Sequence, residues 1–152
     1  MAASSQTIGT GLSALYERRF LRSLRKSVKA KEQILQRAGI DVQRGVTATG
    51  FYQFDDVITA PLHGFSGAED YYYRASACRV LHEVTVPTLM LQSADDPLLG
   101  AKCMPVPEAV SSTIEIETTE RGGHVGFVYG TPWKPKFYIE ERAMLFLEKA
   151  FL

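Results

Sequence analysis

Residues 88 to 97, Thr-Leu-Met-Leu-Gln-Ser-Ala-Asp-Asp-Pro, form an uncharged, largely apolar run that stops at two carboxylates and a proline. A run this short and without alternation suits a strand buried on both faces, with a loop starting at its carboxyl end. A second strand is predicted over Thr113 to Thr119, where Ile114 and Ile116 alternate with Glu115 and Glu117 before Glu120-Arg121-Gly122-Gly123-His124. Between them a short helix is expected around Val106 to Val110. The last element, Tyr138 to Leu152, sets Ile139, Ala143, Phe146, Leu147 and Ala150 on one face of an amphipathic helix. This is an α/β alternation, and right-handed crossovers would make the two strands parallel neighbours. Loops at the carboxyl ends of parallel strands are where such folds place their sites. Asp96 and His124 are therefore expected at one edge.

The preceding half reads differently. From Leu12 to about Ala38 the apolar positions follow helical spacing, as one helix or as two broken near Lys29 to Lys31, with Gly39 as the stop. Asp41 to Val84 is rich in glycine and aromatic residues and reads as short helices and ordered loops, including a helix from Ala68 to Ala77. Residues 1 to 50 carry nine Lys or Arg against three Asp or Glu, and residues 51 to 152 carry eight against fourteen. The excess cations of the first part, Arg18 to Lys29, interleave with Leu21, Leu24 and Val28 as the solvated side of a helix. With no base-stacking motif beside them, no nucleic-acid partner is expected.

At 45% hydrophobic and 22% charged residues the 152-residue chain has the balance of a soluble globular protein, which excludes disorder as its main state. No apolar run reaches the length of a membrane span, and the first twenty residues lack the pattern of a secretory signal. Two cysteines, Cys78 and Cys103, are too few for a disulfide framework, so a cytoplasmic location is expected.

An Asp after one strand and a His after the next are the second and third members of a Ser, Asp, His triad in α/β-hydrolase order. The chemistry requires a near-neutral histidine to take a proton from a serine hydroxyl. It also requires a carboxylate on the other ring nitrogen to fix the tautomer and stabilise the imidazolium. Gly122 and Gly123 would let the backbone turn tightly before the ring. On residue type alone His124 is equally compatible with a hydrogen-bonded loop histidine.

The segments Phe54-Asp55-Asp56, Val57 to Phe65 (VITAPLHGF), Asp70 to Ser76 (DYYYRAS), Val86-Pro87-Thr88-Leu89, Ala94-Asp95-Asp96-Pro97 and Gly122 to Phe127 (GGHVGF) together resemble the YheT-like branch of the α/β-hydrolase superfamily. That branch includes ABHD-type lipases and esterases acting on acylglycerols, phospholipids or short esters. The resemblance covers about Leu12 to Phe151 and implies the carboxyl-terminal part of an α/β-hydrolase fold. Residues 1–85 would be a helical cap after the sixth strand, and 86–152 the last two parallel strands, the acid and histidine loops and the closing helix. It implies Asp96 as triad acid, because Ser93 occupies the glycine place of the usual Gly-x-x-Asp pattern, and His124 as general base. Asp95 is left as a turn or solvent-facing carboxylate. A small ester or lipid substrate and no cofactor are implied.

The nucleophile elbow G-x-S-x-G is expected upstream of this portion. Gly11-Leu12-Ser13-Ala14-Leu15 lacks the final glycine, and Gly64-Phe65-Ser66-Gly67-Ala68 has its glycines out of register. The chain thus reads as a hydrolase part carrying acid and histidine. The alternative is a non-catalytic chain or interaction module that pairs with a separate amino-terminal half or with itself. A zinc site from His63, His82, His124 and Asp95 or Asp96 is disfavoured, since no two histidines share a helical turn. Cys103 reads as a small buried filler rather than a nucleophile. Phe51, Tyr52, Phe54 and Tyr71 to Tyr73 are expected mainly as core packing of the cap, with an acyl pocket as their other reading. Trp133 is expected to anchor a loop.

Overall fold

The computed structural model describes residues 12–99 and 104–151; Gly11 and Cys103 lie outside them. The chain divides into two compact units between Ser76 and Ala77.

The first unit is helical. Helix α1, Leu12–Ala30, and helix α2, Glu32–Arg37, are separated at Lys31, where the sequence places its break. Leu21 and Val28 of α1 point inward and are almost fully buried, while Arg18, Arg19, Arg22, Lys26 and Lys29 are exposed. Gly39 stops α2 with φ +77, a conformation that disfavours a Cβ. The Gly39 N–H bonds the Gln36 carbonyl and the Ile40 N–H bonds the Leu35 carbonyl, so the last turn is closed and buried Ile40 returns onto buried Leu35. Asp41 then caps α3, Val42–Thr47, by accepting the Arg44 N–H at 3.1 Å.

Helix α4, Phe51–Phe54, passes through a π-helical segment, Asp55–Thr59, into α5, Ala60–Leu62. The wider turn has a local use. The Asp55 carboxylate accepts from Thr59 Oγ1 and from Tyr72 Oη, both at 2.6 Å, and Asp56 Oδ1 accepts the Ala68 N–H at 3.0 Å. These bonds tie the segment to α6, Ala68–Arg74, which is shorter than the predicted Ala68 to Ala77. Burial, followed by the bond to Asp55, raises the Tyr72 pKa above the ordinary phenol value. Of the aromatics expected to pack the core, Phe54 is buried and Phe51 packs beside it, whereas Tyr52 and Tyr73 are exposed.

The second unit opens with two short 3₁₀ turns, Ala77–Arg79 and Leu81–Glu83. Strand β1, Thr88–Ser93, pairs in parallel with β2, Ile114–Thr119, from Thr88↔Ile114 to Ser93↔Thr119. Pro107–Ala109 forms a 3₁₀ turn rather than the expected helix. A hairpin absent from the sequence reading follows the histidine loop: β3, Val128–Thr131, runs antiparallel to β4, Lys134–Phe137. Every residue of that hairpin is exposed, so it left no burial alternation to read. Trp133 sits in its two-residue turn and is 90% exposed; it anchors nothing.

Helix α7, Tyr138–Phe151, carries the predicted stripe, with Phe146 buried and Ile139, Ala143 and Leu147 lining an open groove with Pro87, Thr88, Leu89 and Leu91. Its attachment to the sheet is ionic as well as apolar. Arg142 Nε donates to Glu117 at 2.5 Å and Arg142 Nη2 to Glu115, Tyr138 Oη donates to Glu117 at 2.5 Å, and Lys149 Nζ reaches Glu115 at 3.1 Å. The two glutamates that alternate out of β2 therefore face a helix and not only water. Met144, Leu145 and Phe151 of α7 remain largely exposed.

Gly45 tests the packing of the first unit. A Cβ there would lie 2.4 and 2.5 Å from the Ile58 side chain. Gly45→Ala is expected to destabilise the chain by about 1–3 kcal/mol through overpacking. Adding Ile58→Ala should cost less than the sum of the two single changes, because it removes the clashing atoms. Thermal unfolding of the two single variants and the double variant checks this; strict additivity would refute the contact.

Candidate active site

Because β1 and β2 are parallel and end in register, the loops after Ser93 and after Thr119 leave the sheet at the same edge. Asp96 lies in the first loop and His124 in the second, and their side chains meet: His124 Nδ1 is 2.9 Å from Asp96 Oδ2. The Asp96 side chain is fully buried, while the His124 side chain is 41% exposed.

A buried carboxylate persists only if its oxygens are satisfied. Those of Asp96 are. Oδ1 accepts the Leu98 N–H at 2.7 Å and the Leu99 N–H at 3.1 Å, in the manner of an Asx turn, and Oδ2 accepts from Gln92 Nε2 at 2.9 Å as well as from the imidazole. Burial acts to raise the Asp96 pKa, but the bonds from His124, Leu98, Leu99 and Gln92 outweigh it and hold the carboxyl below the usual range. An ionised carboxylate can only accept, so the proton between the two groups sits on Nδ1, and in the neutral ring Nε2 is then the acceptor. Among the described residues Nε2 has no hydrogen-bond partner.

The histidine loop is tightly determined. Asp95 Oδ1 accepts the N–H groups of Gly122 at 2.9 Å and Gly123 at 2.8 Å, and the buried Ser93 hydroxyl donates to the Gly123 carbonyl at 2.5 Å. The Phe127 N–H closes the turn on the Gly122 carbonyl at 2.8 Å. Gly123 has φ +65, and a Cβ on Gly122 would lie 2.5 Å from the Phe127 ring. Phe127 itself has φ +44, costly for a bulky side chain, and is held there in a buried position. The bond from the Gly123 amide above all, with further help from the Ser93 side chain and the Gly122 amide, outweighs the opposing effect of burial and lowers the Asp95 pKa.

The expected pairing of Asp96 with His124 is present, and Asp95 is solvent-facing as expected while also bonding the second loop. Sequence reasoning missed Gln92 and the amides of Leu98 and Leu99 as partners of Asp96. The Asp-Pro-Leu-Leu order held a signal for the amides, since Asp favours bonding to backbone N–H groups two residues on. His82 lies apart, exposed and next to Glu83 at 3.5 Å, and His63 belongs to the first unit. Among the described residues no three His, Cys, Asp or Glu side chains are grouped to hold a metal ion, and no helix is long and apolar enough to cross a membrane.

The chain is 34% identical over 145 residues to YheT of Escherichia coli (strain K12), matching 93% of this chain and 42% of that protein. It is 32% identical over 110 residues to the human monoacylglycerol lipase ABHD2, with 66% of this chain and 26% of the relative covered. A monoacylglycerol lipase of Saccharomyces cerevisiae is 36% identical over 77 residues, covering 49% of this chain and 17% of the lipase. The chain belongs to the α/β-hydrolase family. It spans less than half the length of these curated relatives and corresponds to a carboxyl-terminal part of the fold. No family model matches it, and no solved structure does.

The sign of the Asp96 shift gives a stability prediction. A carboxyl whose folded pKa lies below its unfolded value contributes stability that is present above the unfolded value, about 3.9, and lost as pH falls through the folded one. Urea unfolding of the chain should show stability falling as the pH drops below about 4, with a shallower fall in Asp96→Asn despite its lower stability at neutral pH. Equal slopes in the two proteins would contradict the burial and bonding described for Asp96.

Proposed function

We propose that Asp96 and His124 are the acid and general base of a serine-type carboxylic ester hydrolase whose nucleophile lies outside these 152 residues. The observation that carries this is the 2.9 Å bond from the half-exposed imidazole to a buried, fully satisfied carboxylate. In this reading Asp96 holds the Nδ1–H tautomer, His124 Nε2 takes the proton of a serine hydroxyl during acylation, and Asp96 stabilises the imidazolium before the proton passes to the leaving alcohol. Residues 1–85 serve as the helical cap and 86–152 as the last part of the catalytic core. Two of the relatives are named as monoacylglycerol lipases, which supports a small ester or lipid as substrate.

A second reading is favoured by the free edge of β1: among the described residues only β2 pairs with it. Two-stranded sheets are marginal alone, and an unpaired edge invites another strand. In that reading the chain is a non-catalytic module pairing with a separate amino-terminal half or with a second copy.

The test is a chimera in which residues 1–152 replace the matched part of Escherichia coli YheT, with folding checked by circular dichroism. It should hydrolyse p-nitrophenyl butyrate, and Asp96→Asn should lower kcat on the order of 10⁴-fold, as loss of the correct tautomer does elsewhere. The chain alone should turn over no ester faster than free imidazole and should not react with a fluorophosphonate probe. A folded chimera whose rate is unchanged by Asp96→Asn and His124→Ala would overturn the hydrolase reading. Turnover by the chain alone, abolished by His124→Ala, would place the nucleophile within it.

A further inference from the structure

We infer that Asp95 is a positioning residue, which holds the histidine loop so that the His124 ring stays against Asp96. This deepens the acid and base reading given above and rests on it. Ser93, Asp95 and Asp96, at and just after the end of one strand, between them hold all three residues of Gly122-Gly123-His124. Asp95 Oδ1 takes the Gly122 and Gly123 N–H groups, Ser93 Oγ takes the Gly123 carbonyl, and Asp96 Oδ2 takes the His124 ring. The Gly123 peptide groups are thus fixed on both sides, one residue before the imidazole.

Beyond these bonds the loop is held at its far end by buried Phe127 and by the Phe127 N–H on the Gly122 carbonyl, which leaves the stretch 124–126 itself exposed. Gly123 sits at φ +65 and Phe127 is held at φ +44. Glycine-rich backbone in such a turn has many alternatives to visit, and an ionised acceptor shared by two N–H donors is stronger than neutral bonding. A carboxylate that is open to water yet binds two amides across 27 and 28 residues does more than solvate a turn. Both bonds use the same oxygen, Oδ1, so an asparagine in its place retains an acceptor while an alanine does not.

The experiment is NMR on the ¹⁵N-labelled 152-residue chain. Ring-nitrogen shifts of His124 report the tautomer, and exchange of the Nδ1 proton with water reports how often the pair opens. The wild-type chain should hold the proton on Nδ1. Asp95→Ala should speed its exchange about tenfold and populate the Nε2–H tautomer, the scale expected for losing charge-assisted bonds. Asp95→Asn should restore most of the protection. Ile114→Val, which trims a buried residue at the far end of β2, is the control for general destabilisation and should leave the exchange unchanged at a comparable loss of Tm. Exchange in Asp95→Ala within twofold of wild type, or an equal change in Ile114→Val, overturns the proposal. Asp96→Asn separates the two levels. If it leaves the His124 ring shifts unchanged, the acid and base pair itself fails and the proposal with it. If it moves them while Asp95→Ala does not, the pair stands and only the positioning role falls.

Discussion

The parallel ladder between β1 and β2 is the constraint on which the second unit depends. Its six residue pairs bring two loops distant in sequence to one edge, with Asp96 three residues beyond the last pair and His124 five. A slip of one residue would turn β2 over. Glu115 and Glu117 would then lose Arg142 and Tyr138 of α7, and Ile114 would leave the buried side. The register is therefore held by the same alternation that attaches the closing helix, although a two-stranded sheet is a slight scaffold by itself.

Placement of chemistry at that edge was legible in the sequence because it follows from rules that act over a few residues. An uncharged run ending in Asp-Asp-Pro, a second run ending in Gly-Gly-His, and the handedness of crossovers were enough to bring Asp96 and His124 together. The division between Asp95 and Asp96 was legible only through the resemblance to a family pattern. Nothing in residue type separates two adjacent aspartates, yet one is buried and bonded to the imidazole while the other is exposed.

What escaped the sequence is what depends on long-range geometry. Hairpin β3–β4 has neither a buried face nor a free run of strand formers, since Pro132 and Pro135 interrupt it, and it forms because Gly130 takes φ +90 and the Pro132-Trp133 turn closes it. The π-helical turn at Asp55–Thr59 left no periodicity of its own, being one widened turn whose use lies in the bonds from Thr59 and Tyr72 to Asp55. Likewise the glutamates of β2 read as solvent-facing because alternation tells which face they occupy and not what stands over it.

Trp133 is the sole tryptophan of the chain, and the tip of the hairpin leaves its indole in water. Its emission in the folded state is then already that of a solvated ring, so fluorescence excited at the red edge of the indole band says little about whether either unit has melted. The same isolation makes it a clean optical sensor of a different event. Any polypeptide or lipid that comes to rest on the hairpin tip would move the ring into an apolar setting and shift its spectrum to the blue, against a background with no other indole.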